Sequence, residues 1–447
     1  MDIFFVSLGC DKNLVDSENM LGILHDNGYS ITDNEEQADI IIINTCCFIH
    51  DAKEESIQAI LEMAKYKEVG KLKALIVTGC LAERYKDEIL EEIPEVDALL
   101  GTAAFNEILQ VVEQVLDGNK YTHFADLKEL PISKSKRILS TGSHYSYLKI
   151  AEGCDKHCTY CIIPKVRGNY RSRTIEELID EATYLASQGV KELIIVAQET
   201  TLYGVDLYGK KTLPELLRQL CNISGIEWIR LLYCYPEEIT NELIETIRSE
   251  PKICNYLDIP IQHCSDRILK LMGRKTSKND IINIVNKLRE EIPDITLRTT
   301  LITGFPTETE EDHKELLEFI EKFRFDRLGV FTYSKEEDTP AALLRPQINA
   351  KIKKQRQKEL MELQQEIVFE HSSSHIGRTF DVIIEGRIAD KDQVYVGRTY
   401  MDGPQVDGYI FISSEEELMS GDIIEAKVTG ANNYDLIGEI VEGSAKR

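Results

Sequence analysis

The stretch Glu152-Gly-Cys-Asp-Lys-His-Cys-Thr-Tyr-Cys-Ile162 places three cysteines, Cys154, Cys158 and Cys161, at C-x3-C-x2-C spacing. Iron–sulfur clusters are held by cysteine thiolates, and a cubane cluster ordinarily takes four of them. The next cysteine after the triplet is Cys221, too far along the chain to belong to the same loop. Such a loop can ligate three irons and leave the fourth open to a substrate or cofactor. The alternative is zinc, which wants four closed Cys or His ligands and could recruit His157 from inside the loop. Zinc sites usually pair their ligands as two separated couples, a pattern not found here.

Outward from the triplet, the chain repeats a strand-then-helix pattern. Six apolar runs begin it: Tyr147 to Ala151, Glu192 to Ala197, Trp228 to Tyr233, Tyr256 to Ile261, Thr296 to Ile302 and Leu328 to Thr332. Each is followed by a loop or an amphipathic stretch, and Thr174-Ile-Glu-Glu177 matches a capping box before one of these helices. Six β/α units predict an open, partial barrel, whose functional residues gather at the carboxyl ends of its strands. The triplet follows the first strand. Gln198-Glu-Thr-Thr201 follows the second, Gln262-His263 the fourth and Gly304-Phe-Pro-Thr-Glu308 the fifth.

The region before the barrel also alternates strands and helices, as a parallel sheet with crossover helices does. Runs at Ile3 to Leu8, Ala38 to Ile43 and Ala74 to Val77 each lead into a cysteine: Cys10, Cys46 and Cys80. Ligands in open α/β sheets sit beyond the carboxyl ends of the strands, so these three predict a second three-ligand cluster. A single cysteine there would be an ordinary small core residue. Cys47 competes with Cys46, because adjacent residues at a strand end point to opposite sides, and pattern alone does not choose between them.

Composition narrows the class. The 447 residues, 43% of them hydrophobic, suggest several packed domains at ~150 residues each. No apolar run approaches the roughly 18 residues a membrane span needs, and no basic segment precedes the first apolar residues as a secretory signal would. Eleven cysteines in a cytoplasmic chain read as thiols and metal ligands rather than disulfides. The net charge of −25 opposes phosphate backbones; it either attracts a basic protein partner or serves only to keep the chain soluble.

These motifs together resemble the radical S-adenosylmethionine (SAM) methylthiotransferases. The resemblance rests on the triplet and on Ser7-Leu-Gly-Cys10-Asp-Lys-Asn-Leu-Val-Asp-Ser-Glu18, Asn44-Thr-Cys46-Cys-Phe48 and Val77-Thr-Gly-Cys80-Leu-Ala. It implies Cys46 rather than Cys47 as ligand, and two 4Fe-4S clusters, at Cys10, Cys46, Cys80 and at Cys154, Cys158, Cys161. In the family the open iron of the second cluster chelates SAM, which is cleaved to methionine and a 5′-deoxyadenosyl radical. Gln198 and Glu199 are similar to the turn that meets the SAM amino group. Tyr160 and the loop ending at Glu308 are similar to elements beside adenine, although relatives usually carry Gly where this chain has Thr307. His263 and Arg167 are further polar residues at the barrel rim, and no catalytic side chain is assigned beyond the clusters.

The implied organisation is an N-terminal methylthiotransferase domain over 1–118, a linker over 119–139, a radical SAM core over 140–371 and a small TRAM-like β-barrel over 372–442. Five short runs, from Phe380 to Val441, follow a charged helix over roughly Ala350 to His371. Residues Ile376 to Arg447 contain 14 acidic and 7 basic side chains, a net −7. An RNA-binding barrel carries the opposite sign.

That sign separates two branches of the family, one acting on an adenosine of transfer RNA and one on an aspartate of ribosomal protein twelve of the small subunit. The acidic barrel suits the second, as do Gly397-Arg-Thr-Tyr-Met-Asp-Gly-Pro-Gln-Val-Asp-Gly408 and Ala431-Asn-Asn-Tyr-Asp-Leu-Ile-Gly438. The resemblance therefore implies radical methylthiolation of that aspartate at its β-carbon. It also implies an electron donor such as flavodoxin or ferredoxin, a basic ribosomal protein as partner, and neither membrane nor direct nucleic-acid readout. The rivals are transfer-RNA methylthiolation and, in another class, plain electron transfer.

Overall fold

The computed structural model describes residues 1–131, 136–389, 391, 393–441 and 443. The chain forms two compact units. The first comprises Met1–Ser140, Ala151–Arg173 and Ser334–Ala342, and the second the remainder.

The first unit is built on six parallel strands: β1 (Asp2–Ser7), β2 (Ser30–Ile31), β3 (Ile40–Thr45), β4 (Ala74–Gly79), β5 (Ala98–Leu100) and β6 (Tyr121–His123), in the order β2-β1-β3-β4-β5-β6. A parallel sheet is covered on both faces, so its central strands need no polar side. Hence the four successive isoleucines of β3: Ile40 and Ile42 enter one core, with Met20, Leu24 and Val112, while Ile41 and Ile43 enter the other, with Ile60 and Leu81. The second core also takes Ile162 and Val166 from just beyond the cysteine triplet. The sheet extends further than the sequence suggested, since β6 lies in the stretch read as a linker.

The second unit holds a sheet of six parallel strands in chain order: β7 (Tyr145–Lys149), β10 (Glu192–Val196), β11 (Trp228–Leu231), β12 (Ile253–Asp258), β13 (Thr296–Thr303) and β14 (Arg327–Thr332). Between β7 and β10 lie β8 (Ala151–Glu152) and β9 (Arg171–Ser172), an antiparallel pair belonging to the first unit. Thr174 caps the helix Ile175–Ser187 with the reciprocal bonds of a capping box. This is the expected partial (β/α)6 arrangement.

A closed barrel completes the second unit: β15 (Thr379–Arg387), β16 (Val394–Thr399), β17 (Ile410–Ser413), β18 (Ile423–Asn432) and β19 (Asp435–Ile440). It is tied to the six-stranded sheet by apolar contact and by charge. Ile383 and Ile423 join Trp228, Cys254 and Tyr256 in one cluster. The fully buried Glu192 accepts from Arg230 at 2.7 Å and from Arg398 of β16 at 2.6 Å. The loop Thr399–Gly408 adds Asp402 on Arg327 and Asp407 on both Arg298 and Tyr256. Among the described residues no helix is long and apolar enough to cross a membrane.

Candidate functional site

In the first unit, the cysteines predicted at the ends of β1, β3 and β4 come together. Gly9 has φ +91°, and a Cβ on it would stand 2.7 Å from the Cβ of Cys46. The chain carrying Cys10 therefore crosses directly over Cys46, an approach only glycine permits. Gly79, also at φ +91°, plays the same part before Cys80, where a Cβ would fall 2.2 Å from Asn44 Oδ1. Asn13 binds the first two ends together, its Nδ2 donating to the carbonyls of Leu8 at 2.8 Å and Thr45 at 3.0 Å. Asn44 Nδ2 donates in turn to Asn13 O and to Ser17 Oγ, both at 2.9 Å.

The electrostatics fit a positively charged guest. Burial pushes the Cys46 thiol up to about 12, and the neighbouring Cys80 and Cys10 add to the shift. Cys80 is raised too, chiefly by burial, although Arg167 pulls the other way. The two buried sulfurs, Cys46 and Cys80, hold their protons unless a cation takes them as thiolates, while Cys10 stands exposed at the edge of the set. Cys47 belongs elsewhere: it is fully buried in the apolar core with Val77 and Leu81, and its thiol donates to Cys80 O at 3.2 Å.

The triplet is framed by β8 and β9, which pair Glu152 with Arg171. Gly153, at φ +78°, passes so close to Asn169 that a Cβ would meet its carbonyl at 2.1 Å. Cys154 N donates to Gly168 O at 3.1 Å and Cys161 N to Cys158 O at 3.0 Å. Cys154 and Cys158 are buried, and Cys161 is raised by burial and then by Cys158 and Cys154. His157, the alternative fourth ligand, is exposed. A single zinc needs its sulfur donors about 2.3 Å away, and no three His, Cys, Asp or Glu side chains among the described residues are gathered to hold one ion. A cubane asks less, since its irons sit at separate corners.

Sequence reasoning underrated Arg167. Its guanidinium is buried and donates from Nε to Cys80 Sγ at 3.3 Å, from one Nη to Asp16 at 2.7 Å and Glu152 at 3.1 Å, and from the other to Asn13 Oδ1. Only its place six residues after Cys161, before Gly168, hinted at this.

In the second unit the predicted residues stand at strand ends. Glu199 is fully buried, and one of its oxygens accepts from the backbone N–H of Thr201 at 3.0 Å. Gln198 precedes it, half-buried. Glu308 is turned inward, accepting from Arg356 at 2.8 Å and from the Phe305 N–H at 3.1 Å, so it braces the loop that follows β13. Thr307 has φ +69°, the left-handed conformation that suits the glycine of related loops. Arg267 holds it there, donating to its hydroxyl at 3.1 Å and its carbonyl at 2.8 Å. His263 is fully buried and lowered by desolvation to about 3; its Nδ1 accepts from Ser265 N at 2.9 Å.

Residues 2–101 match the Uncharacterized protein family UPF0004, residues 148–320 the Radical SAM superfamily and residues 376–441 the TRAM domain. A protein of Lachnoclostridium phytofermentans named ribosomal protein uS12 methylthiotransferase RimO is 64% identical, the alignment covering 98% of this chain and 99% of that one. Proteins of the same name from Acetivibrio thermocellus, covering 99% and 98%, and Clostridioides difficile, covering 99% of each, are 52% and 49% identical. Among solved structures, the radical S-adenosylmethionine methyltransferase TsrM from Kitasatospora setae matches with a TM-score of 0.56 at 12% identity, over 76% of this chain and 77% of that one. The cobalamin-dependent S-adenosylmethionine radical enzyme OxsB matches with a TM-score of 0.52 at 15% identity, over 83% and 56%. These distant likenesses speak to the fold.

Proposed function

Because the chain belongs to the family of ribosomal protein uS12 methylthiotransferases named RimO, we propose that it adds a methylthio group to the β-carbon of an aspartate in that small-subunit protein. The observation that carries the reading is the presence, in one compact unit, of two separate sets of three cysteines, with tight glycine turns at Gly9 and Gly79 in the first and at Gly153 in the second. Cys10, Cys46 and Cys80 would hold one 4Fe-4S cluster, and Cys154, Cys158 and Cys161 a second with an iron left open for SAM. When bound, the clusters and SAM supply the radical and the sulfur that side chains alone lack.

The protein's own groups bind and orient. Tyr160 would lie against adenine, Gln198 and Glu199 would receive the amino group of SAM, and Glu308 would act through the loop it braces. Of the barrel's acids, Glu415, Glu416, Glu417, Glu425 and Glu439 face solvent, a surface that attracts a basic ribosomal protein and repels transfer RNA. The reaction would take place in the cytoplasm, with reducing electrons from a flavodoxin or ferredoxin.

One assay tests the reading. The chain, reconstituted anaerobically with iron and sulfide and reduced in the presence of SAM, should release 5′-deoxyadenosine and convert a peptide carrying the target loop to its methylthio-aspartate form, read by mass spectrometry. Methylthiolated transfer RNA with unmodified peptide would move the chain to the other branch. Absence of 5′-deoxyadenosine would favour plain electron transfer.

A further inference from the structure

Arg167 ends a five-residue helix, Ile163–Arg167, that is fixed to the first unit before the guanidinium does anything. Ile162 and Val166 lie in the sheet's apolar core, and Val166 O accepts from Thr102 Oγ1 at 2.7 Å. From that anchored position one guanidinium serves both cysteine sets. It donates directly to the Cys80 sulfur. Through Asn13, which donates to Leu8 O and Thr45 O, it braces the backbone just before Cys10 and Cys46. Through Glu152 at 3.1 Å it holds the strand that leads into Cys154.

We propose that Arg167 is a positioning residue that sets the reduction potential of the cluster at Cys10, Cys46 and Cys80 by hydrogen bonding to a ligand sulfur, with Glu152 as its counterweight. The proposal rests on the two-cluster reading above. Reduction adds one electron, and therefore negative charge, to a cluster; a cationic donor on a ligand sulfur stabilises that added charge and raises the potential. A nearby carboxylate does the reverse, and Glu152 acts on Cys80 with that sign. The planar fork of arginine is needed because Lys, a point charge with a different donor geometry, cannot meet the sulfur, two carboxylates and an amide at once.

The test uses the full chain with Cys154→Ala, Cys158→Ala and Cys161→Ala, reconstituted so that only the first cluster is present. It is titrated with dithionite and followed by electron paramagnetic resonance. Adding Arg167→Lys should lower the potential, and adding Glu152→Gln should raise it. A purely structural role has no reason to give shifts of opposite sign. In the mirror chain, with Cys10→Ala, Cys46→Ala and Cys80→Ala, Arg167→Lys should leave the potential of the triplet cluster where it was. An unchanged potential in Arg167→Lys with iron and sulfide content retained overturns the proposal, as does a shift of the same sign in both variants. Should Arg167→Lys fail to hold a cluster, Glu152→Gln decides alone: no rise, and the proposal falls. If the parent triplet-free chain binds no iron or sulfide, the two-cluster reading has failed first, and iron analysis before any titration tells the two failures apart.

Discussion

Cys46 and Cys47 are neighbours in sequence with opposite surroundings. Cys46 lies under the backbone of Gly9 beside the other two strand ends, and Cys47 lies in the apolar core. Cys46→Ala should therefore cost one cluster, about half the bound iron and sulfide of the reconstituted chain, on the three-ligand reading. Cys47→Ala should retain all of it and lose only the modest packing of a small buried side chain. Iron and sulfide analysis of the two variants checks this directly. Thr307 makes a second residue-scale case. A β-branched side chain in the left-handed region costs roughly 1–2 kcal/mol, against roughly 0.5–1 kcal/mol of extra backbone entropy for glycine. Thr307→Gly should thus stabilise the chain by up to about 1 kcal/mol, seen as a slightly higher midpoint in thermal denaturation; a fall in the midpoint would mean that the Arg267 bond to the hydroxyl outweighs the backbone cost.

At the scale of elements, the attachment of the barrel to the neighbouring sheet depends on buried charge. Burial by itself would raise the Glu192 carboxyl, but Arg398 and Arg230 overcome it and hold it down to about 2. A carboxyl lowered on folding contributes stability that is complete above its unfolded value, near 4.3, and is lost as pH falls toward 2. The melting temperature should accordingly drop across that window. Glu192→Gln should lower stability at neutral pH by about 3–5 kcal/mol, since it strands two buried guanidinium groups, and should flatten the acid dependence. Melting curves from pH 5 to pH 2.5 on both chains measure it. The phrase Gly397–Gly408, conspicuous in the sequence for its resemblance to ribosomal-protein enzymes, proves to be the stretch that carries Arg398, Asp402 and Asp407 into this junction.

At the scale of the whole molecule, the charge balance bears on substrate choice. Asp402 and Asp407 are bound by arginines of β14 and β13, and Glu415, Glu416 and Glu417 are exposed in succession on the barrel. Replacing these three with Lys should raise KM for a basic ribosomal-protein substrate several-fold at low salt and leave kcat nearly unchanged. The difference should shrink as salt approaches the level where the screening length is about 8 Å. An equal effect at all salt concentrations would argue against a role in attraction.

The elements and the cysteine sets were legible because their signals are local. Strand runs, a capping box and cysteines at fixed offsets from strand ends are written in consecutive residues. The sequence by itself therefore determined the three-part architecture and pointed to two sets of three cysteines as candidate ligands and, through family likeness, to Cys46 over Cys47. What it could not determine are relations set by packing between distant segments. The reach of Arg167 to Cys80, 87 positions away, the inward turn of Glu308 onto Arg356 and the grip of Arg230 and Arg398 on Glu192 are all of that kind. Each satisfies a charge that folding removes from water, and which partner meets it is decided only when the chain has closed around it.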